Sequence, residues 1–301
     1  MKHSTLVLSG AALLTAVFSL SGSTAEGKGS QPQGGTAAMY GAIGAHQEEK
    51  LSTNDEIMRA AATGEPSKVW AVLEHGEMVD CLSCISAVEP LLYDTHATNR
   101  EIAAWWLRRR MFGVFGEGEV YQRLTQTLAS DPSPKKRAYA AESIGEFLTR
   151  AGVKHCKQAL ATDADEGVRA AAARALGRLG IDDGALANAM SDSSPLVKVA
   201  ALDAASRMNQ RFTGFGTALG DADAKVRKRA AEIAETHRAA DQVAKLIELA
   251  EHDADPEVRL AACHTLGGLH DASAREALER IAERDANGLV KDQARIALRR
   301  L

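Results

Sequence analysis

Two cysteines separated by two residues, Cys81 and Cys84, are the strongest candidates for chemistry in this sequence. Outside the reducing cytoplasm, such a pair can form a structural disulfide or take part in thiol exchange. A c-type haem would require His directly after the second cysteine, where the sequence has Ile85. Zinc would need two further ligands, and the nearby His75 and His96 match no common zinc spacing. We expect a disulfide, with inert thiols, redox activity and metal binding as the alternatives.

The motifs typical of common enzyme active sites are absent. The sequence has no His-Glu-x-x-His motif, no Gly-x-Ser-x-Gly motif and no Gly-x-x-x-x-Gly-Lys followed by Ser or Thr. Paired acids such as Asp163 and Asp165 could suggest a calcium loop, but Val168 interrupts the acids that such a loop needs. The pair also recurs along the chain, which indicates a turn. We therefore predict no catalytic residue, no metal site and no cofactor.

A pair of tryptophans and a run of arginines form the next candidate. Trp105 lies at a position that is mostly polar in the other copies of a repeat described below, which predicts an exposed aromatic anchor for a partner. The alternative is that it packs against the preceding helices. Arg108 and Arg109 could attract an acidic partner, although cations near a helix C-terminus also complement the helix dipole.

These candidates lie within or beside a repeat that begins with Asp. Turn-forming residues follow the Asp, then a cation six positions after it and an Ala nine positions after it. We refer to the first residue of each copy as the repeat Asp. A loose copy starts at Asp94, and the others start at Asp131, Asp163, Asp192, Asp221, Asp253 and Asp285. Their cations are Arg137, Arg169, Lys198, Arg227, Arg259 and Lys291.

Each copy predicts a turn followed by a helix with one buried face. Positions five, nine and thirteen after the repeat Asp fall on one side of a helix and are mostly apolar. We expect the Asp to cap this helix and the cation to pair with Asp side chains or carbonyls of the neighbouring unit. Position eleven varies, so we predict that it carries partner-binding residues, Glu142, Arg174, Asp203, Glu232 and His264.

The repeat resembles HEAT repeats of the short kind named after phycobilisome lyases, over residues 94–301. Residues 60–76, with Ala60, Gly64 and Leu73, resemble one ankyrin helical hairpin. The resemblance implies an all-α fold, an α-solenoid or superhelix of stacked antiparallel helix pairs whose second helices line the concave side. Each pair alone cannot bury its apolar face, so stacking is expected to build a continuous core.

The N-terminal residues predict export. Lys2 precedes an apolar run, and small residues end at Ala25, which is typical of a cleaved secretory signal. We predict a signal peptide over residues 1–25, a flexible linker over 26–53, a helical cap over 54–93 and the repeat solenoid over 94–301. The mature protein is then expected in the periplasm or outside a bacterial cell.

The charge balance limits the classes of partner. The formal net charge is −4, and removal of Lys2 with the signal would make it more negative, which disfavours nucleic-acid binding. No stretch of the mature chain is long and apolar enough to span a membrane. We predict a non-catalytic exported scaffold that binds another protein. The alternative is a redox or chromophore- or cofactor-attachment accessory that uses Cys81 and Cys84. A homodimer is a further option that no residue pattern favours.

Overall fold

The computed structural model describes residues 51–111, 118–181, 184–208 and 212–301. All of them lie within one compact unit, Thr36–Leu301. The predicted signal peptide lies outside these ranges, as does the predicted linker up to residue 50. Within the described ranges every regular element is a helix. No helix in them combines the length and the apolar character that crossing a membrane requires.

Sixteen α-helices occur in the described ranges, and consecutive helices alternate between two layers. The first layer contains α1 (Asn54–Thr63), α3 (Ile85–Val88), α5 (Glu119–Ser130), α7 (Gly152–Thr162), α9 (Ala185–Asn188), α11 (Phe215–Leu219), α13 (Val243–His252) and α15 (Arg275–Arg284). The second layer contains α2 (Pro66–His75), α4 (Ala97–Met111), α6 (Pro134–Glu146), α8 (Glu166–Leu179), α10 (Pro195–Ala205), α12 (Ala224–Ala234), α14 (Pro256–Leu269) and α16 (Gly288–Leu298).

Stacking of the second layer organises the fold. Each second-layer helix packs on the next one along the chain, while each first-layer helix packs on its own second-layer partner. Short 3₁₀ turns extend or precede some first-layer helices, namely Glu89–Tyr93, Ala189–Ser191, Ala240–Gln242 and Ala272–Ala274. The described residues therefore form an all-α solenoid of stacked helix pairs, which confirms the fold predicted from the repeat.

The periodicity also predicts which side of the second-layer helices is buried. The Ala nine positions after each repeat Asp has no exposed surface in any of the seven helices from α4 to α16. The same is true of Val168, Val197, Val226, Val258 and Val290, five positions after the repeat Asp. The small Ala side chain lets neighbouring helices approach closely, and the Val next to it fills the space between the layers.

Three second-layer helices approach their neighbours even more closely, through a glycine. It lies fourteen positions after the repeat Asp and faces an alanine of the next second-layer helix. The pairs are Gly145 with Ala175, Gly177 with Ala204, and Gly267 with Ala297. A Cβ on Gly177 would lie 2.7 Å from the Cα of Ala204, closer than two carbon atoms can pack. The contact between α8 and α10 therefore requires a glycine at this position.

The N-terminal helices continue the same two layers. Helix α1 begins with a capping box, in which Thr53 and Glu56 each accept a hydrogen bond from the other's backbone N–H. Helix α2 packs on α4, so this first hairpin occupies the place of a preceding repeat unit. Helix α3 and the turn Glu89–Tyr93 also pack on α4, as a first-layer helix does.

Candidate protein-binding surface

The recurring Asp and cation form a ladder of ion pairs between consecutive units. Arg137 donates two hydrogen bonds, each 2.8 Å long, to the two carboxylate oxygens of Asp163 in the next unit. Arg137 also donates to the main-chain oxygen of its own repeat Asp, Asp131, at 2.8 Å. The other pairs are Arg169 with Asp192, Lys198 with Asp221, Arg227 with Asp253, and Arg259 with Asp285. Each of the four arginines also donates to the main-chain oxygen of its own repeat Asp and therefore joins two successive turns.

The repeat Asp does not cap the second-layer helix, contrary to the expectation from the sequence. The N-cap is the residue two positions later: Asp165 accepts a hydrogen bond from the N–H of Val168, and Asp223 from that of Lys225. The repeat Asp instead accepts the N–H of the capping residue, as Asp163 does from Asp165 at 2.9 Å. This hydrogen bond orients the repeat Asp toward the cation of the preceding unit, so its carboxylate is not available as a cap.

The ladder changes at its first step. Arg100, six positions after Asp94, donates to Glu142 at 2.6 and 3.0 Å rather than to Asp131. Its guanidinium lies 3.9 Å from the ring centroid of Tyr139, a cation–π contact. This redirection brings Glu142, one of the predicted binding residues, into an ion pair with Arg100.

Trp105 is buried, and its predicted role as an exposed anchor is wrong. Its side chain is 6% exposed and belongs to the hydrophobic core. Helices α2 and α3 and the turn before α4 all pack on α4, and the large apolar ring of Trp105 is buried in the core that they share. The alternative considered from the sequence, packing against the preceding helices, agrees with this burial.

The arginines at the end of α4 hold the loop that follows α2. Arg109 forms an ion pair with Glu77 at 2.8 Å. Arg110 donates to three main-chain oxygens of residues 76–79 and stacks 3.4 Å above the ring of Trp106. Arg108 is half-buried, and burial lowers its pKa. Arg109 and Arg110 thus have structural contacts. None of the three arginines lines the charged cavity described below.

The five predicted binding residues at position eleven form a row along the second layer, from α6 to α14. We call it the polar row: Glu142, Arg174, Asp203, Glu232 and His264. Its side chains are between 32% and 49% exposed. Neighbouring units contact the row through polar groups: Arg229 forms an ion pair with Asp203 at 2.6 Å, and the Glu235 carboxylate lies 3.5 Å from the His264 ring. Such partly exposed pairs stabilise a fold only weakly.

A charged cavity of about 190 Å³ lies at the N-terminal end of the polar row. Side chains of α4, α6 and α8 line it together with Arg207, which lies two residues after the end of α10. The charged lining residues are Arg100, Glu101, Glu142, Glu146, Arg174, Arg178 and Arg207. We call this the arginine cavity, because four guanidinium groups line it: Arg100 from α4, Arg174 and Arg178 from α8, and Arg207 from just after α10.

Sequence reasoning identified only part of this cavity. It selected Glu142 and Arg174 but not Glu146, Arg178 or Arg207, which lie four positions further along, fifteen after their repeat Asp. Residues four apart share a helical face, so this spacing was the signal that could have identified them. The spacing along the sequence does not show that side chains from separate units meet in one cavity.

Cys81 and Cys84 are joined by a disulfide in the loop between α2 and α3. The two residues are only 2% and 0% exposed, whereas the intervening Leu82 is 80% exposed. Thiol exchange requires an incoming thiolate to reach a sulfur atom. Burial of both cysteines is therefore the arrangement of a structural disulfide. Within the described ranges no group of three or more His, Cys, Asp or Glu side chains is arranged to hold a metal ion.

A family model described as HEAT repeats matches residues 121–187 and 213–299, just over half of the chain. This confirms the HEAT resemblance seen in the sequence. No curated protein matches the chain.

Solved structures with similar folds share little sequence with this chain. A chain from the structure of Kap95p with RanGDP is 13% identical, with a TM-score of 0.57, over 84% of this chain and 42% of that one. The E. coli protein YibA is 19% identical, with a TM-score of 0.49, over 87% and 100% of the two chains. The CpcE and CpcF complex of phycocyanin lyase from Nostoc is 21% identical, with a TM-score of 0.38, over 71% and 86%. At these identities a likeness concerns the fold alone.

Proposed function

The chain belongs to the HEAT-repeat family, and we propose that it is a non-catalytic, exported scaffold that binds another protein through its second-layer helices. One observation carries this proposal, the polar row. Five consecutive second-layer helices present a partly exposed charged or polar side chain two positions after the fully buried Ala, and therefore on the opposite side of the helix from it. Variable side chains on a regular, rigid stack are the arrangement that repeat proteins use to bind extended partners.

Two further facts support binding at this surface. The ion pairs of the polar row are partly exposed, so exchanging them for contacts with a partner costs little stability. Kap95p, whose structure has a similar fold, is described as binding RanGDP. A stack of this kind can therefore hold a protein partner.

The proposal is tested by placing a photo-crosslinking amino acid on each layer of the same units. Positions 174 and 264 report on the polar row, and positions 154 and 248 report on the first-layer helices of the same two units. All four original side chains, Arg174, His264, Lys154 and Glu248, are at least partly exposed, so each substitution should be tolerated. Irradiation in the producing cells is expected to yield a protein adduct from the polar-row positions.

The first-layer positions are the matched controls, because they share a unit with the test positions but lie on the opposite layer. Adducts formed equally from both layers, or only from the first layer, would show that the partner does not use the polar row. The identity of the captured protein would be read by mass spectrometry of the adduct.

Export is supported by the signal-like residues 1–25 and by the disulfide between Cys81 and Cys84, since disulfides persist in oxidising compartments. The test is N-terminal sequencing of the protein from fractionated cells. A mature N-terminus near residue 26 in the periplasmic or secreted fraction is expected. An intact N-terminus in the cytoplasm would contradict export.

The non-catalytic role is supported by the burial of both disulfide cysteines, which leaves an incoming thiolate no access to sulfur. Purified protein is therefore expected to show no disulfide-exchange activity on a reduced model substrate, and a Cys81→Ser/Cys84→Ser variant should capture the same partners as the wild type. Exchange activity that disappears in the variant would favour the redox alternative.

A further inference from the structure

The arginine cavity contains more cationic groups than the carboxylates beside them can pair. Glu142 accepts two hydrogen bonds from Arg100, and Glu146 pairs with Arg178. Arg174 reaches the other oxygen of Glu142 only at 3.7 Å, longer than a hydrogen bond.

Arg207 is exposed and has no carboxylate within ion-pair distance among residues 51–111, 118–181, 184–208 and 212–301. Three carboxylates line the cavity, Glu101, Glu142 and Glu146, against four guanidinium groups, and Glu142 and Glu146 are already engaged in ion pairs. Excess positive charge is therefore concentrated on the side of α8 and α10.

Electrostatics within the cavity point the same way. Burial lowers the pKa of Arg178; the charges of Glu101 and Glu142 raise it, and the charge of Arg207 lowers it. Burial raises the pKa of Glu101, so this carboxylate is held in its charged form less firmly than an exposed one. Arg178 and Arg207 thus repel each other, and Glu101 of the cavity lining offsets this repulsion.

We infer that the arginine cavity is a subsite for an acidic side chain of the bound protein, held by Arg174, Arg178 and Arg207. This inference rests on the proposed scaffold function. A carboxylate can accept two hydrogen bonds from one guanidinium and further bonds from a second, which suits a group of arginines. The volume of about 190 Å³ exceeds the share of a single water, about 30 Å³, several times, which is room for one carboxylate side chain.

A flexible Gly/Ser peptide with a central run of Glu, labelled with fluorescein, tests this subsite by fluorescence polarisation at low salt. The same peptide with Gln in place of Glu is the control for charge, and unlabelled free glutamate is the competitor that represents a small-molecule source of carboxylate. Arg207→Ala and Arg174→Ala remove cavity cations. Arg275→Ala removes an exposed cation from α15 and is the matched control for net charge.

We expect the Glu peptide to bind the wild type and the Arg275→Ala variant equally, and to bind the Arg207→Ala variant at least about tenfold more weakly, the loss expected for one charge-assisted hydrogen bond. Equal binding of the Gln peptide, equal weakening by Arg275→Ala, or no binding of the Glu peptide would overturn the subsite. Displacement by free glutamate at the affinity of the peptide would assign the cavity to a small carboxylate instead of a protein segment. Crosslinking from position 264 does not depend on this cavity, so failure of the subsite and failure of the scaffold function are distinguishable.

Discussion

Asp253 illustrates what each repeat Asp does. It accepts hydrogen bonds of 2.6 and 2.9 Å from Arg227 of the preceding unit, and its main-chain oxygen accepts one from Arg259. Its side chain is only 3% exposed. Burial would raise the pKa of Asp253, but the hydrogen bonds from Arg227 and the Asp255 amide outweigh it and lower the pKa. A charge in this position is stable only while it is paired.

The substitution Arg227→Ala is expected to reduce the free energy of unfolding by roughly 3 kcal/mol, because it leaves the Asp253 carboxylate buried without its partner. Urea unfolding followed by circular dichroism measures the loss. Lys228→Ala, which removes the adjacent and more exposed cation, is the control and should cost less than about 1 kcal/mol. Equal losses in the two variants would mean that the ladder does not stabilise the stack.

The cysteines differ in reactivity because of burial and pairing. Burial raises the pKa of both Cys156 and Cys263 to about 12, and the other two cysteines form the disulfide. We expect a thiol reagent at neutral pH to label no cysteine in the native protein isolated without reductant, and two after denaturation. Mass spectrometry counts the labels, and reduction should raise the count to four. Four labels before reduction would contradict the disulfide.

At the scale of helices, the contacts within the second layer decide how closely the units stack. Gly177 and Ala204 bring α8 and α10 into backbone contact, and Gly267 does the same for α14 and α16 through Ala297. Isolated helix propensity would favour Ala over Gly at these positions by about 1 kcal/mol. The interhelical contact therefore outweighs the local preference.

Gly177→Ala is expected to destabilise the protein by about 1–3 kcal/mol, since the new methyl group must displace α10. Gly288→Ala, at the start of α16, is the matched control because a Cβ there meets nothing within 4 Å. That substitution should stabilise the protein by about 0.4–1 kcal/mol, because Ala lowers the conformational entropy of the unfolded chain. Thermal unfolding compares them. A stabilising effect of both substitutions would show that α8 and α10 are not in close contact.

At the scale of the whole molecule, the ladder links stability to pH. Hydrogen bonds from Arg169 and Arg259 lower the pKa values of Asp192 and Asp285, respectively. Burial would raise the pKa values of Asp163 and Asp253. The hydrogen bonds that these carboxylates accept, from an arginine and from a main-chain amide, outweigh burial and lower both pKa values. The folded pKa thus lies below the unfolded value of about 3.9 in four units. The ladder's contribution is complete above that value and is lost as the pH falls through the folded values.

We expect the melting temperature to change little between about pH 7 and pH 5 through these groups, and to fall steeply below about pH 4. An Asp192→Asn/Asp285→Asn variant should be less stable at neutral pH but should lose less stability on acidification, because two of the linked carboxylates are gone. Calorimetry across this range measures both. Parallel pH curves for the two proteins would indicate that acid unfolding arises elsewhere.

The repeat of Asp, cation and Ala was sufficient to predict helix pairs, their order along the chain and the buried stripe of Val and Ala. These features depend on the period of a single helix, and residues such as Val226 and Ala230 share a face whatever surrounds them. The family and its stacked architecture follow from the same pattern, because no single pair can bury its stripe alone.

Tertiary structure decided the features that depend on distances between helices. Trp105 is buried because α2 and α3 cover α4, and Gly177 is required because α10 lies against it. The arginine cavity exists because Arg178 and Arg207 extend from successive units into one space. Spacing along a chain specifies the direction in which a side chain leaves its own helix. What that side chain meets depends on the separation and stagger of neighbouring helices, which packing sets.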